Sequence, residues 1–428
     1  MDIKRASDLV GVDLAGKAAN RDNSPRSGSI WGILDSTGFE GRIMNWMPIW
    51  AALALALLTA PARAETSLLS TSCTGQPGVA WEQQIKDCTA IIDSKESTQE
   101  NRAVAYRNRG IAHLELTYGK PVGDSSDNTQ RAIADLGMAI KLNPKDASAY
   151  FYRGIALYFS GGVRQAIADY TEAIRLDADF ADAYFERARA YLMLGDYKES
   201  VANYTEMIRI DPKDVEALRA RGYVLVLLGD LQSALADYTE AIRIDPNHAP
   251  TFADRGKIYA ETGEIDRAAA DFTAAIKIEP NSGDHHFNRG LAHFYAGAFA
   301  LSAADLNRAV ELRPDGILSL YAVLFRYLAR QRAGEDGTAE LAAEVAGWKG
   351  KHSVVELFLG RASLEVTVKA IFTPTDRCET AFYLGQWHLI RGEREAARSR
   401  LEEATSTTCR AGSPHRIAAV IELKRMEP

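Results

Sequence analysis

"ADYTEAIR" occupies residues 168–175, and the same eight letters return at 236–243. "ANYTEMIR" stands half-way between them at 202–209, and "ADFTAAIK" follows at 270–277. The four starts are 34 residues apart. A fixed period of that length marks a repeat architecture, in which each unit is one supersecondary element that buries its apolar face only against its neighbours. Gly154, Ala188, Gly222, Gly256 and Gly290 keep the period, and Ala166, Ser200, Ala234, Ala268 and Ser302 stand twelve residues after them. Ala173, Met207, Ala241, Ala275 and Ala309 follow seven residues further on. Pro212, Pro246, Pro280 and Pro314 close four units, and Ala178 takes that place in an earlier one.

Within a unit the apolar and small residues recur at helical spacing. One helix is predicted from about Ala147 to Ser160 and a second from about Val163 to Asp177, with Gly161 and Gly162 in the turn between them. The small residues let two antiparallel helices approach closely. Proline lacks an N–H and disfavours helix at the residue before it, so it ends the second helix and starts the next unit.

These features resemble the tetratricopeptide repeat, a 34-residue helix–turn–helix family. The pattern matches at Tyr150, Gly154, Ala166, Tyr170 and Ala173, and again at Tyr184, Ala188, Tyr204 and Pro212. Units are expected at 147–180, 181–214, 215–248, 249–282 and 283–316. An earlier one at 103–146 matches at Tyr106, Gly110, Ala132 and Pro144 and carries a ten-residue insertion in "TYGKPVGDSSDNTQ". Six repeats thus fill 103–316, preceded at 65–102 by a cap holding a lone second helix, "WEQQIKDCTAIIDS", at 81–94. Degenerate helical repeats are expected over 317–377, with a helix pair first and then one further helix in "SVVELFLGRASLEVTVKAIF". Residues 378–411 recover the pattern through Gly385, Gly392, Ala397, Leu401 and Ala404. The serine–proline pair that opens 412–428 reads as the N-cap and first turn of a capping helix. The resemblance implies an all-α fold, a right-handed α-solenoid or superhelix of antiparallel helix pairs, and is nearly silent on function.

The chain carries a net charge of −7, which counts against a nucleic-acid partner. Its one strongly apolar stretch, "MPIWAALALALLTA" at 47–60, is short for a membrane span and fits the core of a secretory signal. Ala62-Arg63-Ala64 has the form of a cleavage site, so a signal peptide is expected at 44–64, with residues 1–43 as an over-extended N-terminus. If the segment is retained, the chain is instead a membrane-tethered adaptor. An exported chain with four cysteines suggests disulfides. Of the three connectivities, Cys73 with Cys88 and Cys378 with Cys409 is preferred, because the pairs lie at opposite ends and would clamp the exposed units of a solenoid. Cys73 in "LSTSC" is a poor lipidation site.

Arginine precedes the small first-helix residue in six units: Arg109, Arg153, Arg187, Arg221, Arg255 and Arg289. Sixteen residues after the last five stand Asp169, Asn203, Asp237, Asp271 and Asp305, and Asp135 serves Arg109 across the insertion. In the degenerate unit the two places hold Val323 and Ala339, and in the final unit Leu384 and Arg400. A half-buried arginine requires such a partner, so the ladder reads as structural rather than as an anion-binding stripe.

His285, His286 and His293 lie close together in one unit, without the spacing of a metal motif, and read as a solvated helix face. No nucleophile elbow, phosphate loop or dinucleotide fingerprint occurs, and "GGVR" at 161–164 is an interhelical turn. Neither catalytic residue, metal nor cofactor is expected, and no small-molecule substrate. An enzyme, a metal protein or a purely structural oligomer would be the competing readings. What remains is the wall of first helices, which in the family commonly binds peptides or protein segments. Spacing along those helices nominates Phe151, Ile155, Tyr158 and Phe159, then Phe185, Arg189 and Leu192, then Arg219, Tyr223 and Val226, then Lys257, and finally Phe287, Leu291, Phe294 and Tyr295. Aromatic and arginine side chains are what interaction hot spots use, though about half of these aromatics are expected to pack between units. The expected function is an exported, non-catalytic scaffold that binds a peptide segment or helix of an envelope protein.

Overall fold

The computed structural model describes residues 73–74, 79–117, 126–312, 317–347, 352–370, 374–406, 408–409 and 412–427. The expected signal peptide and the segment before it lie outside these residues, as does most of the insertion. Among the described residues there are twenty α-helices and no strand. No helix among them is long and apolar enough to cross a membrane. The chain divides into two compact units, one ending at Val224 and one running from Leu225 onward.

The first unit holds α1 (Trp81–Asp93), α2 (Gln99–Glu115), α3 (Ser126–Leu142), α4 (Ala147–Phe159), α5 (Val163–Leu176), α6 (Ala181–Leu194), α7 (Tyr197–Ile210) and the greater part of α8 (Val215–Leu228). Each of α1 to α6 packs on the helix that follows it, and the first helices α2, α4 and α6 also touch in succession. Small residues decide how closely a hairpin closes. A Cβ on Gly154 would stand 2.6 Å from Cε1 of Tyr170, so only glycine lets that ring lie against the first helix. Ala166, Tyr170, Ala173 and Tyr204 are fully buried. Gly195 ends α6 in the left-handed conformation, φ 77°, and its N–H and that of Asp196 return to Leu192 and Tyr191 carbonyls. Asp211 is extended before Pro212, which stops α7. Helix α3 begins inside the stretch expected as a loop, at Ser126. Helix α1 packs on α2 and is tied by the Cys73–Cys88 disulfide, with Cα atoms 4.9 Å apart.

The second unit continues with α9 (Leu231–Ile244), α10 (Ala249–Thr262), α11 (Ile265–Ile278), α12 (Gly283–Ala296), α13 (Phe299–Leu312), α14 (Ile317–Arg332) and α15 (Thr338–Glu344). Then come α16 (Ser353–Phe358), α17 (Leu364–Lys369), α18 (Pro374–Ile390), α19 (Arg394–Ala404) and α20 (Pro414–Arg425). The single helix expected over 353–372 is two short ones. Gly360 takes φ 67°, which ends α16, and the Ser363 hydroxyl accepts from the Val366 N–H to start α17. Helices α18 and α19 form the final hairpin, closed by the Cys378–Cys409 disulfide with Cα atoms 5.6 Å apart. Ser413 caps α20 by accepting from the Arg416 N–H, with Pro414 in the first turn. The core of this unit is aromatic: Phe294, Phe325, Phe382 and Tyr383 are all but fully buried.

Candidate partner-binding wall

The arginine ladder sets the spacing of the wall. Arg153 donates from Nε and Nη2 to both oxygens of Asp169, each at 2.7 Å. Arg255 does the same to Asp271 at 2.8 Å, and Arg289 to Asp305 at 2.8 and 2.6 Å. Arg109 reaches Asp135 across the insertion at 2.8 and 2.7 Å. Such bidentate bonds are the strong form of the pair. Arg187 meets an amide instead, donating from Nε to Asn203 Oδ1 at 2.8 Å. Hydrogen bonding to the carboxylate outweighs burial and raises the pKa of Arg153 and Arg255, whereas burial lowers that of Arg187.

Every ladder arginine except Arg153, which has Gly137 in place of the threonine, also has a use that the spacing of acceptors did not reveal. Its Nη1 turns back to a threonine on the preceding second helix: Arg187 to Thr171 at 3.0 Å, Arg221 to Thr205 at 3.2 Å, Arg255 to Thr239 at 3.2 Å and Arg289 to Thr273 at 3.3 Å. Arg109 donates in the same way to Thr89 of α1 at 2.9 Å. Aromatic rings one turn back complete the environment, with Tyr150 under Arg153, Tyr184 under Arg187 and Phe252 under Arg255 at 5.5–5.8 Å. The repeated octapeptide therefore supplies two acceptors: Asp169 serves its own hairpin and Thr171 serves the next.

In the first unit the nominated wall residues form a packed floor with an accessible edge. Phe151, Ile155, Tyr158 and Phe185 are buried, while Phe159, Leu192 and Tyr223 are half-buried. Arg189 is 7% exposed and donates from Nη1 to both oxygens of Glu186 at 3.0 Å. Its guanidinium lies 5.6 Å from the Tyr158 ring centre and 5.9 Å from that of Phe185. Burial works against its charge, but Glu186 together with Tyr158, Tyr204 and Tyr170 outweighs it and keeps the pKa above the usual value. Arg219 is more deeply buried still, with Glu216 at 3.8 Å. Met193, next to Leu192, is 41% exposed and was not among the nominated residues.

In the second unit Val226 is half-buried and Lys257 is exposed, its Nζ 3.0 Å from Asp254. Phe287, Leu291, Phe294 and Tyr295 are buried. The histidines beside them are not a solvated face. His285 pairs with Glu279 at 3.0 Å, while His286 and His293 meet Asp305 at 3.4 and 3.0 Å. Burial alone would raise the Asp305 carboxyl; donation from His293, Arg289 and His286 brings it down to about 2. Among the described residues no group of three histidine, cysteine or acidic side chains is placed to hold a metal ion. A cavity of about 260 Å³ lies elsewhere in this unit, walled by Tyr327, Phe358, Trp387 and Arg391, with the guanidinium stacked 4.4 Å over the Trp387 ring. Only the i, i+4 spacing of Trp387 and Arg391 in the sequence hints at it.

A tetratricopeptide-repeat family profile matches residues 153–215 and 253–317, and a second profile of the same repeat matches 215–248. Residues 153–317 thus carry tetratricopeptide repeats. Among solved structures it is similar to YrrB, described as a tetratricopeptide protein with an unusual peptide-binding site: 26% identity over 44% of this chain and 96% of that one, TM-score 0.37. It is also similar to MamA from Desulfovibrio magneticus, with 18% identity over 42% and 96% of the two chains and TM-score 0.37. Pseudomonas aeruginosa PilF shows 14% identity over 52% and 97%, with TM-score 0.42. No curated protein matches the chain in sequence.

Proposed function

We propose that this tetratricopeptide protein is an exported, non-catalytic scaffold that binds a peptide segment or helix of another envelope protein along its first-helix wall. The observation that carries this reading is the wall of the first unit. Leu192, Met193 and Tyr223 present accessible apolar and aromatic surface, backed by the buried Tyr158, Phe185 and Arg189. A rigid floor under an accessible edge lowers the cost of ordering side chains on binding. The repeat family supports a protein or peptide as the partner. Two formed disulfides support an oxidising compartment, and the apolar run at 47–60 supports export.

Selection of peptides from a displayed library against the intact protein tests the binding reading. Tyr223→Ser and Leu192→Ser are expected to reduce affinity for selected peptides at least tenfold while helicity and melting temperature hold. Unchanged affinity in both would refute it. Export is tested separately, by an intact mass under non-reducing conditions. The expected chain begins at Glu65 with both disulfides formed; a mass retaining the apolar run would make the protein a tethered adaptor.

A further inference from the structure

In the second unit the first-helix face is already occupied. Helix α20 packs on α12, α18 and α19, although α12 lies more than a hundred residues earlier in the chain. Its entry is fixed by Tyr295 of α12, whose hydroxyl donates to the Pro414 carbonyl at 3.1 Å. Its exit is fixed by Arg425, which donates to the carbonyls of Phe294 and Tyr295 at the end of α12. Between the two, the Glu422 carboxylate is 2% exposed and lies 3.1 Å from Arg332 of α14 and 2.5 Å from Arg425. His415 enters a box of aromatic rings, with Tyr321, Phe325, Phe382 and Tyr383 at 4.9–5.5 Å, and meets the Tyr383 hydroxyl at 2.9 Å. Ala418 and Ala419 are buried between these anchors.

His415, Ala418, Ala419, Glu422 and Arg425 fall at i, i+3, i+4, i+7 and i+10. That is the spacing by which a single helix lays one face into a groove. The anchors meet α12, α14 and α18, each the first helix of its hairpin. We propose that the face of α12, α14 and α18 is a helix-binding groove and that α20 is its resident intramolecular occupant. The external ligand that fits is an amphipathic helix with a small-residue face, an acidic group matched to Arg332 and, one turn later, a basic residue for the Phe294 and Tyr295 carbonyls at the end of α12. Such a helix enters only when α20 leaves. This reading concerns the second unit and stands or falls independently of peptide binding along the first.

Two measurements on the full chain test it. Native-state hydrogen exchange should show α20 opening by itself, with amide protection at least tenfold below that of α18 and α19. A labelled peptide of residues 412–427, added in trans, should bind saturably to the full chain. Affinity should rise about tenfold when the resident anchor is removed by Arg425→Ala, and a peptide carrying Arg425→Glu should bind at least tenfold more weakly. Exchange of α20 in one cooperative unit with α18 and α19 would make it a core element and overturn the assignment. Absence of binding in trans, with α20 opening independently, would equally overturn it.

Discussion

Arg255 donates to Thr239 at 3.2 Å with the same guanidinium that grips Asp271 at 2.8 Å, so one side chain joins two successive repeats. Its two ends differ in weight. The bond to the carboxylate is charge-assisted and bidentate inside one hairpin; the bond to the hydroxyl crosses between hairpins near solvent. In a double-mutant cycle, Arg255→Met with Thr239→Val should give a coupling of about 0.5 to 1 kcal/mol. Asp271→Ala alone should cost about 2 to 3 kcal/mol, because it leaves a half-buried cation without its counter-ion. Urea denaturation of wild type, the three cycle variants and Asp271→Ala checks both values. A coupling near zero would show that the hydroxyl does not help hold the repeats together.

Asn203 stands where the other units of the ladder carry an aspartate, and Arg187 meets it through one bond only. Asn203→Asp should allow the two-bond grip seen at Asp169 and raise stability by about 1 kcal/mol, seen as a higher melting temperature. The amide's own bond to the Glu199 carbonyl at 2.7 Å is lost in the change, so a lowered melting temperature would mean that this bond outweighs the gained charge.

Two helical glycines should respond in opposite ways to alanine. At Gly154 the added methyl meets the Tyr170 ring at 2.6 Å, and overpacking of this kind costs about 1 to 3 kcal/mol. At Gly137 in α3 the nearest atom to such a methyl is Arg153 Nη1 at 3.9 Å, and relief of glycine's backbone freedom should stabilise by about 0.5 to 1 kcal/mol. Chemical denaturation of the two variants checks the pair. Equal responses would mean that close helix approach is not what Gly154 provides.

Acid should weaken the hairpin of α12 and α13 through Asp305. Its folded pKa, about 2, lies below the ordinary 3.8, so its contribution is present above pH 4 and is lost as pH falls towards 2. That shift corresponds to about 2 kcal/mol. Asp305→Asn should therefore remove part of the pH dependence of stability between pH 4 and 2. Parallel curves for the two proteins would contradict it.

Most of the ladder was legible in the sequence because its partners recur at a fixed separation. Gly154 and Tyr170, or Arg153 and Asp169, are sixteen residues apart, and the five units over 147–316 repeat that separation. The threonine contact was present in the same octapeptide but carried no such mark, since a hydroxyl next to Tyr170 fits an exposed helix surface equally well. The histidines were misread for a related reason: helical spacing does not say that Asp305 closes over His286 and His293. Gly360 breaks a stretch whose apolar pattern runs on across it. The seat of α20 on α12 follows no period at all, because it joins residues about 120 to 130 apart, such as Tyr295 with Pro414.

The central claim is that the first-helix wall binds a protein segment, and isothermal titration of one selected peptide tests it most directly. Wild type should bind saturably with one-to-one stoichiometry. Tyr223→Ser combined with Leu192→Ser should lower affinity by at least a factor of a hundred, with the circular dichroism spectrum unchanged. Equal affinity in wild type and the double variant would place binding elsewhere and contradict the account.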